Sequence, residues 1–406
     1  MTVIQDFADA VTVADLERDP YPVYRRLRAE APVCYVPAVD LWLVTRRADV
    51  AAVGNDPDTF TAALPDAPVN RAFGEPNILT AAGATHRELR GSLEGKYKPR
   101  EVARYIDDLV EPIVAERLKA LEGKGEVDLL AEFFEPVSVR ALAEVLGMGE
   151  FDSETLRRWF RGLAEGAINF EHDPARQEVS DATVREMLGA VGPLLDRMER
   201  EPDDSTLAHM LWSGREGDGA AGERGPRERS AVLPSLLVII LGGMQEPGHG
   251  AASTLYGLLS EPEQLADVLA DPEGRCGTAV EEGIRWVSPI GTQARLVTRA
   301  AELGGVRLPA GAKVSAVLAS ANRDEAVFEE PELFRLDRRS RRSMPFGFGP
   351  HFCVGHAFAR SQMRIALTRL LGRFPGLRLL PERPVEFRGW EFRAPTSLWV
   401  NLDGRG

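Results

Sequence analysis

The sequence predicts a mainly α-helical protein with a small β-rich region, on three observations. Helical periodicity with proline or acidic starts fills most of the chain. Strand-like runs are few, short and bounded by turn residues. One stretch, Leu233 to Leu259, is apolar on all sides through its first half, the pattern of a helix buried in a core.

Taken in order, Tyr21 to Glu30 reads as a helix opening after Asp19-Pro20. Val33-Cys34-Tyr35-Val36 and Leu41-Trp42-Leu43-Val44 read as two strands around a turn at Pro37 to Asp40. Ala63 to Thr80, rich in Pro, Gly and Asn, reads as a long loop, a place where ligands often bind. Helical patterns resume at Ala84, at Glu101 to Glu122, and at Ala131 to Leu146. Ser213 to Arg229 is Gly-, Arg- and Glu-rich and reads as a mobile surface connection. A helix near Thr278 to Trp286 precedes short strands in Leu303 to Leu318, with a turn at Pro309-Ala310-Gly311. Glu329 to Phe352 is irregular and Arg-rich, and a last long helix follows Cys353.

No Pro/Ser-rich linker divides the 406 residues, so a single domain over residues 1–406 is expected. An apolar content of 44% suffices for a sizeable core. The net charge of −13 argues against nucleic-acid binding, which needs a basic surface. Cys34, Cys276 and Cys353 are odd in number and far apart, which gives neither a disulfide framework nor a CxxC zinc pattern and fits a reducing compartment. Met1 to Ala10 carries acids and no basic segment, so no signal peptide is expected. The most apolar run, Leu236 to Met244, is nine residues, under half of the about 20 needed for a membrane span. A cytoplasmic protein with no membrane partner follows.

The most informative segment is Phe346-Gly347-Phe348-Gly349-Pro350-His351-Phe352-Cys353-Val354-Gly355. Its glycines permit unusual backbone conformations and a close approach to a planar ligand. A helix starting just after Cys353 offers free N–H groups and a positive dipole end, which favour thiolate, the metal-binding form. Phe346, Phe348 and Phe352 would wall the sulfur from water. A buried structural cysteine in a glycine-rich turn is the plain alternative.

This segment resembles the haem-binding signature of the cytochrome P-450 family, Phe-x-x-Gly-x-x-x-Cys-x-Gly, at Phe346, Gly349, Cys353 and Gly355. Glu282-Gly283-Ile284-Arg285 is similar to the family's Glu-x-x-Arg pair, which in the family joins a later arginine, here Arg338. The resemblance covers nearly the whole chain. It implies the cytochrome P-450 fold, a helical bundle around a buried haem b (iron protoporphyrin IX), with Cys353 as the iron ligand. It also implies that His86, Arg90, Arg295 and His351 hold the haem propionates and that Phe346 and Gly347 lie against the cofactor. Basic side chains form charge-assisted bonds with carboxylates, although each residue taken singly reads equally as a surface ion-pair partner. The thiolate pushes electron density onto iron and favours O–O cleavage.

The family's usual Ala/Gly-Gly-x-Asp/Glu-Thr is here Gly242-Gly243-Met244-Gln245-Glu246-Pro247. Gln245 stands at the acid position and Glu246 at the alcohol position. Pro247 lacks an N–H, so the carbonyl of Gly243 loses its helical partner and the helix is expected to open there. Glu246 is the expected general acid-base, with Gln245 orienting it or a water, and peroxide-driven turnover becomes plausible. The run Leu241 to Gly250, together with Glu135 to Arg140 and Phe392 to Leu398, resembles bacterial guaiacol-type aromatic O-demethylases. That resemblance implies a ring enclosed by Phe73 and Phe392, with Ala167 at a third phenylalanine position and Val238, Gly242 and Ile290 as further lining. Core packing is the ordinary alternative for Phe73 and Phe392. The small Ala167 leaves room for a second methoxy group, which favours syringol (2,6-dimethoxyphenol) over guaiacol.

O2 or H2O2 would be the oxidant. The arginines Arg335, Arg338, Arg339, Arg341 and Arg342 would dock an acidic ferredoxin or a flavin/iron–sulfur reductase, or form a solvated charged loop. Two rival readings are a peroxide-only peroxygenase and a non-catalytic haem-thiolate sensor or ligand carrier.

Overall fold

A computed structural model describes residues 2–213, 225–339 and 342–403. Most of the Ser213–Arg229 connection, and Arg341, lie outside the described residues. The chain folds into two compact units, residues 1–61, 110–137 and 246–406 in one and residues 62–109 and 138–245 in the other. Helices dominate both, as expected.

The first unit carries the β structure. Val33–Val36 pairs antiparallel with Leu41–Val44, which pairs parallel with Lys313–Val317. Thr292–Val297 pairs antiparallel with both Lys313–Val317 and Phe60–Thr61, giving five strands. Val33, Val44, Val297, Val314 and Ala316 from this sheet form one buried cluster with Val50, Val53 and Leu318. Val314 to Val317 are buried in succession, so this central strand is covered on both faces, which is why a short run rich in β-branched residues suffices.

Three helices of the same unit, Glu246–Ser260, Pro272–Trp286 and His356–Arg373, pack on one another. Pro272–Trp286 starts at Asp271, whose side chain accepts from the Gly274 N–H at 3.0 Å, with Pro272 at its first position. Near its end Glu282 and Arg285 pair at 2.7 Å, and Arg338 joins Glu282 at 2.8 Å. Arg285, only 2% exposed, also donates to the carbonyls of Asn322, Pro331 and Leu333. Met344 N–H donates to the Asn322 side chain at 2.6 Å. The irregular segment before the cysteine loop is therefore held by a fully bonded charged triad instead of regular structure.

The second unit is helical. Ser153–Ala167 and Pro174–Arg200 lie close because Gly162 and Gly166 lack side chains. A Cβ on either would come within 2.0 Å of the Thr183 hydroxyl or 2.3 Å of the Ser180 hydroxyl. The region read as a loop, Ala63 to Thr80, contains the short helix Pro68–Phe73, started by Pro68 and stopped by Gly74 at φ +84°. Pro, Gly and Asn there punctuate a helix instead of excluding one.

Arg229–Gly243 and Glu246–Ser260 are consecutive helices, interrupted at Met244 and Gln245 as Pro247 requires. At this break the Met244 carbonyl accepts from the Ser138 hydroxyl at 2.6 Å. Together these helices span 32 residues and are apolar enough by composition to cross a membrane. That exceeds the nine-residue apolar run, because glycine, alanine and proline extend the apolar character beyond it. Of the most apolar window, 67% is buried in protein, as in a core helix.

Replacing Arg285 with alanine leaves the buried Glu282 with only Arg338 and the Arg335 N–H, and takes one donor from each of three carbonyls. Loss of about 3–5 kcal/mol is expected, read as a large fall in the melting temperature of the haem-loaded protein. A melt unchanged from wild type would contradict the structural role of the triad.

Candidate functional site

The cysteine loop is built by glycine. Gly347 and Gly349 adopt φ of +74° and +63°, a region closed to most side chains. A Cβ on Gly347 would lie 2.2 Å from the Gln293 amide, and one on Gly349 would lie 1.9 Å from the Gly54 carbonyl oxygen. The loop thus sits directly on the Thr292–Val297 strand and on the Arg47–Asn55 helix. Cys353 N–H donates to the Phe346 carbonyl at 2.9 Å, which closes the turn. His356–Arg373 begins three residues after Cys353, so the sulfur-bearing residue stands at the positive end of an 18-residue helix. Phe346 is packed between the His356 ring, 6.2 Å away, and the Arg360 guanidinium, 4.2 Å above it. Arg360 is itself held by Glu281 at 2.5 Å. His351 lies half-buried in the turn Gly349–His351.

Arg295 extends from the strand beneath this loop and is 5% exposed. Its guanidinium donates to the Ala294 carbonyl at 2.6 Å, and among the described residues no carboxylate pairs with it. Burial alone pushes its pKa down to about 10. A buried cation without a counter-charge is costly, and a carboxylate-bearing ligand would offset that cost. Among the described residues no cluster of three or more His, Cys, Asp and Glu is present. A single cysteine sulfur would be enough to hold an iron whose other protein-independent donors a porphyrin supplies. Cys353, the aromatic wall and Arg295 therefore suit a haem with propionates.

Also in this unit, Ile290 and Phe392 form an antiparallel bridge, so two of the expected ring-lining residues are neighbours. Gly291 permits the crossing, since a Cβ there would lie 2.1 Å from the Trp390 carbonyl oxygen. Beside Phe392, Glu391 accepts from the Thr292 hydroxyl at 2.6 Å. Burial pushes the Glu391 carboxyl up to about 7, against the Thr292 bond and with help from the Glu17 charge. Glu246 opens its helix, 5% exposed, where the helix dipole favours a carboxylate.

In the other unit, His86 and Arg90 share one face of Gly83–Tyr97. His86 is buried, whereas Arg90 pairs with Glu94 at 2.5 Å. Phe73 ends its helix and Ala167 ends Ser153–Ala167. These two ends meet, since a Cβ on Gly166 would lie 2.8 Å from that of Ala72. Gly74 approaches Pro234 of the helix that carries Val238 and Gly242. Val238 and Gly242, at i and i+4, lie on its less buried side, and nothing stands within 4 Å of a Cβ built on Gly242. Gln245 is buried.

Of the loop arginines, Arg338 is taken up by the triad, and Arg335 pairs with Glu330 and Asp337. Arg339 and Arg342 are exposed. Sequence reasoning missed Glu391, the Arg360 clamp on Phe346, and a buried pair between His249 and Glu135 at 3.3 Å. All three depend on partners distant in sequence.

The family model described as Cytochrome P450 matches residues 277–386. Cytochrome P450 130 of Mycobacterium tuberculosis is 31% identical, the match covering 98% of this chain and 98% of that protein. The C-19 steroid 1alpha-hydroxylase of Sorangium cellulosum is also 31% identical, over 89% of this chain and 90% of that protein. Among solved structures, P450BioI in complex with hexadec-9Z-enoic acid ligated acyl carrier protein superposes with a TM-score of 0.84 at 26% identity, covering 95% of this chain and 98% of that one.

Glu391 makes a prediction of definite sign. Below about pH 4.5 folded and unfolded chains both hold its proton, so it contributes nothing to the pH dependence. Between that value and about 7 only the folded chain keeps the proton, so stability falls as pH rises, by up to about 1.4 kcal/mol per unit. Above about 7 the full cost persists. Glu391→Gln is expected to flatten the fall in melting temperature between about pH 5 and about pH 8. An unchanged slope would remove Glu391 as its source.

Proposed function

The chain belongs to the cytochrome P450 family of haem-binding monooxygenases, and from that premise we propose that it is an oxidative O-demethylase of methoxyphenols, with syringol preferred to guaiacol. Residues 1–406 act in this reading as one cytoplasmic catalytic domain. The observation that carries it is Glu246, a carboxylate buried at the helical break where family members place an alcohol. Phe73, Phe392, Ile290, Val238 and Gly242 enclose the substrate ring, and Ala167 leaves space for its second methoxy group. Cys353 binds the iron, Phe346 and Gly347 lie against the macrocycle, and Arg295, His351, His86 and Arg90 hold its propionates.

Bound haem supplies oxygen activation and hydroxylation of the aryl methoxy carbon. The residues of this chain exclude water, orient the ring and move protons. With peroxide, a Glu246 carboxylate oxygen takes a proton from H2O2 and returns it to the oxygen that leaves as water. Gln245 holds the carboxylate, or a water on it, in place. The hydroxylated methoxy group is a hemiacetal and collapses to a phenol and formaldehyde. Overall, methoxyarene and H2O2 give phenol, formaldehyde and water. With O2, two electrons and two protons replace the reducing power and the hydrogens of peroxide. A ferredoxin or flavin/iron–sulfur reductase delivers those electrons, with Arg339 and Arg342 available to an acidic partner.

Formaldehyde release from syringol and guaiacol, measured with NADH and a reductase and separately with H2O2, tests the proposal. Release is expected to be greater with syringol, and Glu246→Ala should lower it by about 100-fold or more. Release with peroxide alone would make the enzyme a pure peroxygenase. No release from either compound under both supplies would overturn the proposal and favour a sensor or carrier.

A further inference from the structure

A buried polar pair joins the helix that Glu246 opens to the start of the helix Glu135–Leu146. His249 Nε2 stands 3.3 Å from a Glu135 carboxylate oxygen. The residues are 9% and 8% exposed. Two features of the backbone bring them together. Glu135 follows a π-helical turn, Leu130–Phe134, a distortion that recurs at functional sites. Gly248 faces that turn, and a Cβ there would lie 2.8 Å from the Phe134 carbonyl oxygen and 3.1 Å from the Glu135 nitrogen. Any larger residue would push Glu135 away from His249.

Packing does not require the pair, because buried polar partners are commonly no more stabilising than apolar residues of the same volume. Its location suggests another use. Glu246 and His249 are at i and i+3, on one helix face. Helical side chains lean toward the N-terminus, which tilts the His249 ring toward Glu246. Glu282, on a helix packed against this one, is bound to both Arg285 and Arg338.

We propose that His249, held by Glu135, is a positioning residue that resupplies protons to Glu246 in the oxygen-driven reaction. The inference rests on the acid–base reading of Glu246. Peroxide turnover returns to the leaving oxygen the proton that Glu246 removed, so it draws no net proton through this face. Oxygen-driven turnover consumes two protons with two electrons, and Glu246 must be recharged. The Glu135 carboxylate accepts from Nε2–H and stabilises the imidazolium. Nδ1–H passes its proton through a bridging water to the Glu246 carboxylate, leaving neutral imidazole and a carboxylic acid. Water then reprotonates the ring.

The test compares haem-loaded His249→Gln and Glu135→Gln with wild type. Each is expected to lose about tenfold more formaldehyde release under NADH and reductase than under H2O2, with H2O2 leaking from the oxygen-driven reaction. Glu135→Asp should restore much of the loss. If His249→Gln fails to load haem, Glu135→Gln makes the same comparison. A readout independent of turnover is the 15N spectrum of histidine-labelled, reduced, carbon-monoxide-bound holoenzyme. Glu246→Gln should move the Nδ1 signal of His249. Equal losses under both oxidants, or an unmoved Nδ1 signal, would overturn the relay and leave the Glu246 reading standing. If Glu246→Ala changes neither rate, the underlying reading fails instead.

Discussion

The bond we propose from one cysteine sulfur to iron is the constraint on which the rest of the account depends. The sulfur must be ionised, shielded from water and fixed against the flat face of a macrocycle. Ionisation is favoured by the start of His356–Arg373. Phe346, which opens the loop, is gripped by Arg360 and His356. Fixation comes from Gly347 and Gly349, whose missing side chains let the loop rest on Gln293 and Gly54. The Glu282–Arg285–Arg338 triad serves the same end at a distance, since it sets the path by which an irregular chain reaches the loop.

Much of the charge buried in this protein is placed where burial is expensive. Arg295 is buried without a carboxylate partner among the described residues, and Glu391 is held near neutrality of charge by its surroundings. Glu246 and His249 occupy a core helix whose neighbouring positions are glycine, alanine and proline. Groups of this kind weaken a fold unless a ligand or a reaction uses them. In the proposed site, haem propionates would answer Arg295 directly. The proposed proton-consuming reaction would give Glu246 and His249 a role that packing cannot.

Local signals were read well from the chain, and long-range pairings were not. The Tyr21–Glu30 helix and the strands Val33–Val36 and Leu41–Val44 match the structure residue for residue, because proline starts and β-branched runs act locally. Pro247 announced the break at Met244 and Gln245 for the same reason. The Pro68–Phe73 helix was read as loop because six residues cannot sustain a helix alone, and packing supplies what propensity lacks. The Glu135–His249 pair joins residues 114 apart, and no periodicity in either segment reveals it. The loop's likeness to a haem-binding signature was legible; the clamp of Arg360 on Phe346 was not, because it needs the helix geometry after Cys353.

The most direct test of the account is the absorption spectrum of the reduced, haem-loaded protein under carbon monoxide, for wild type and Cys353→Ser. The account predicts the band diagnostic of thiolate ligation in wild type and its loss in the variant. A fully haem-loaded wild type without that band, or a variant that keeps it, would contradict the assignment of Cys353.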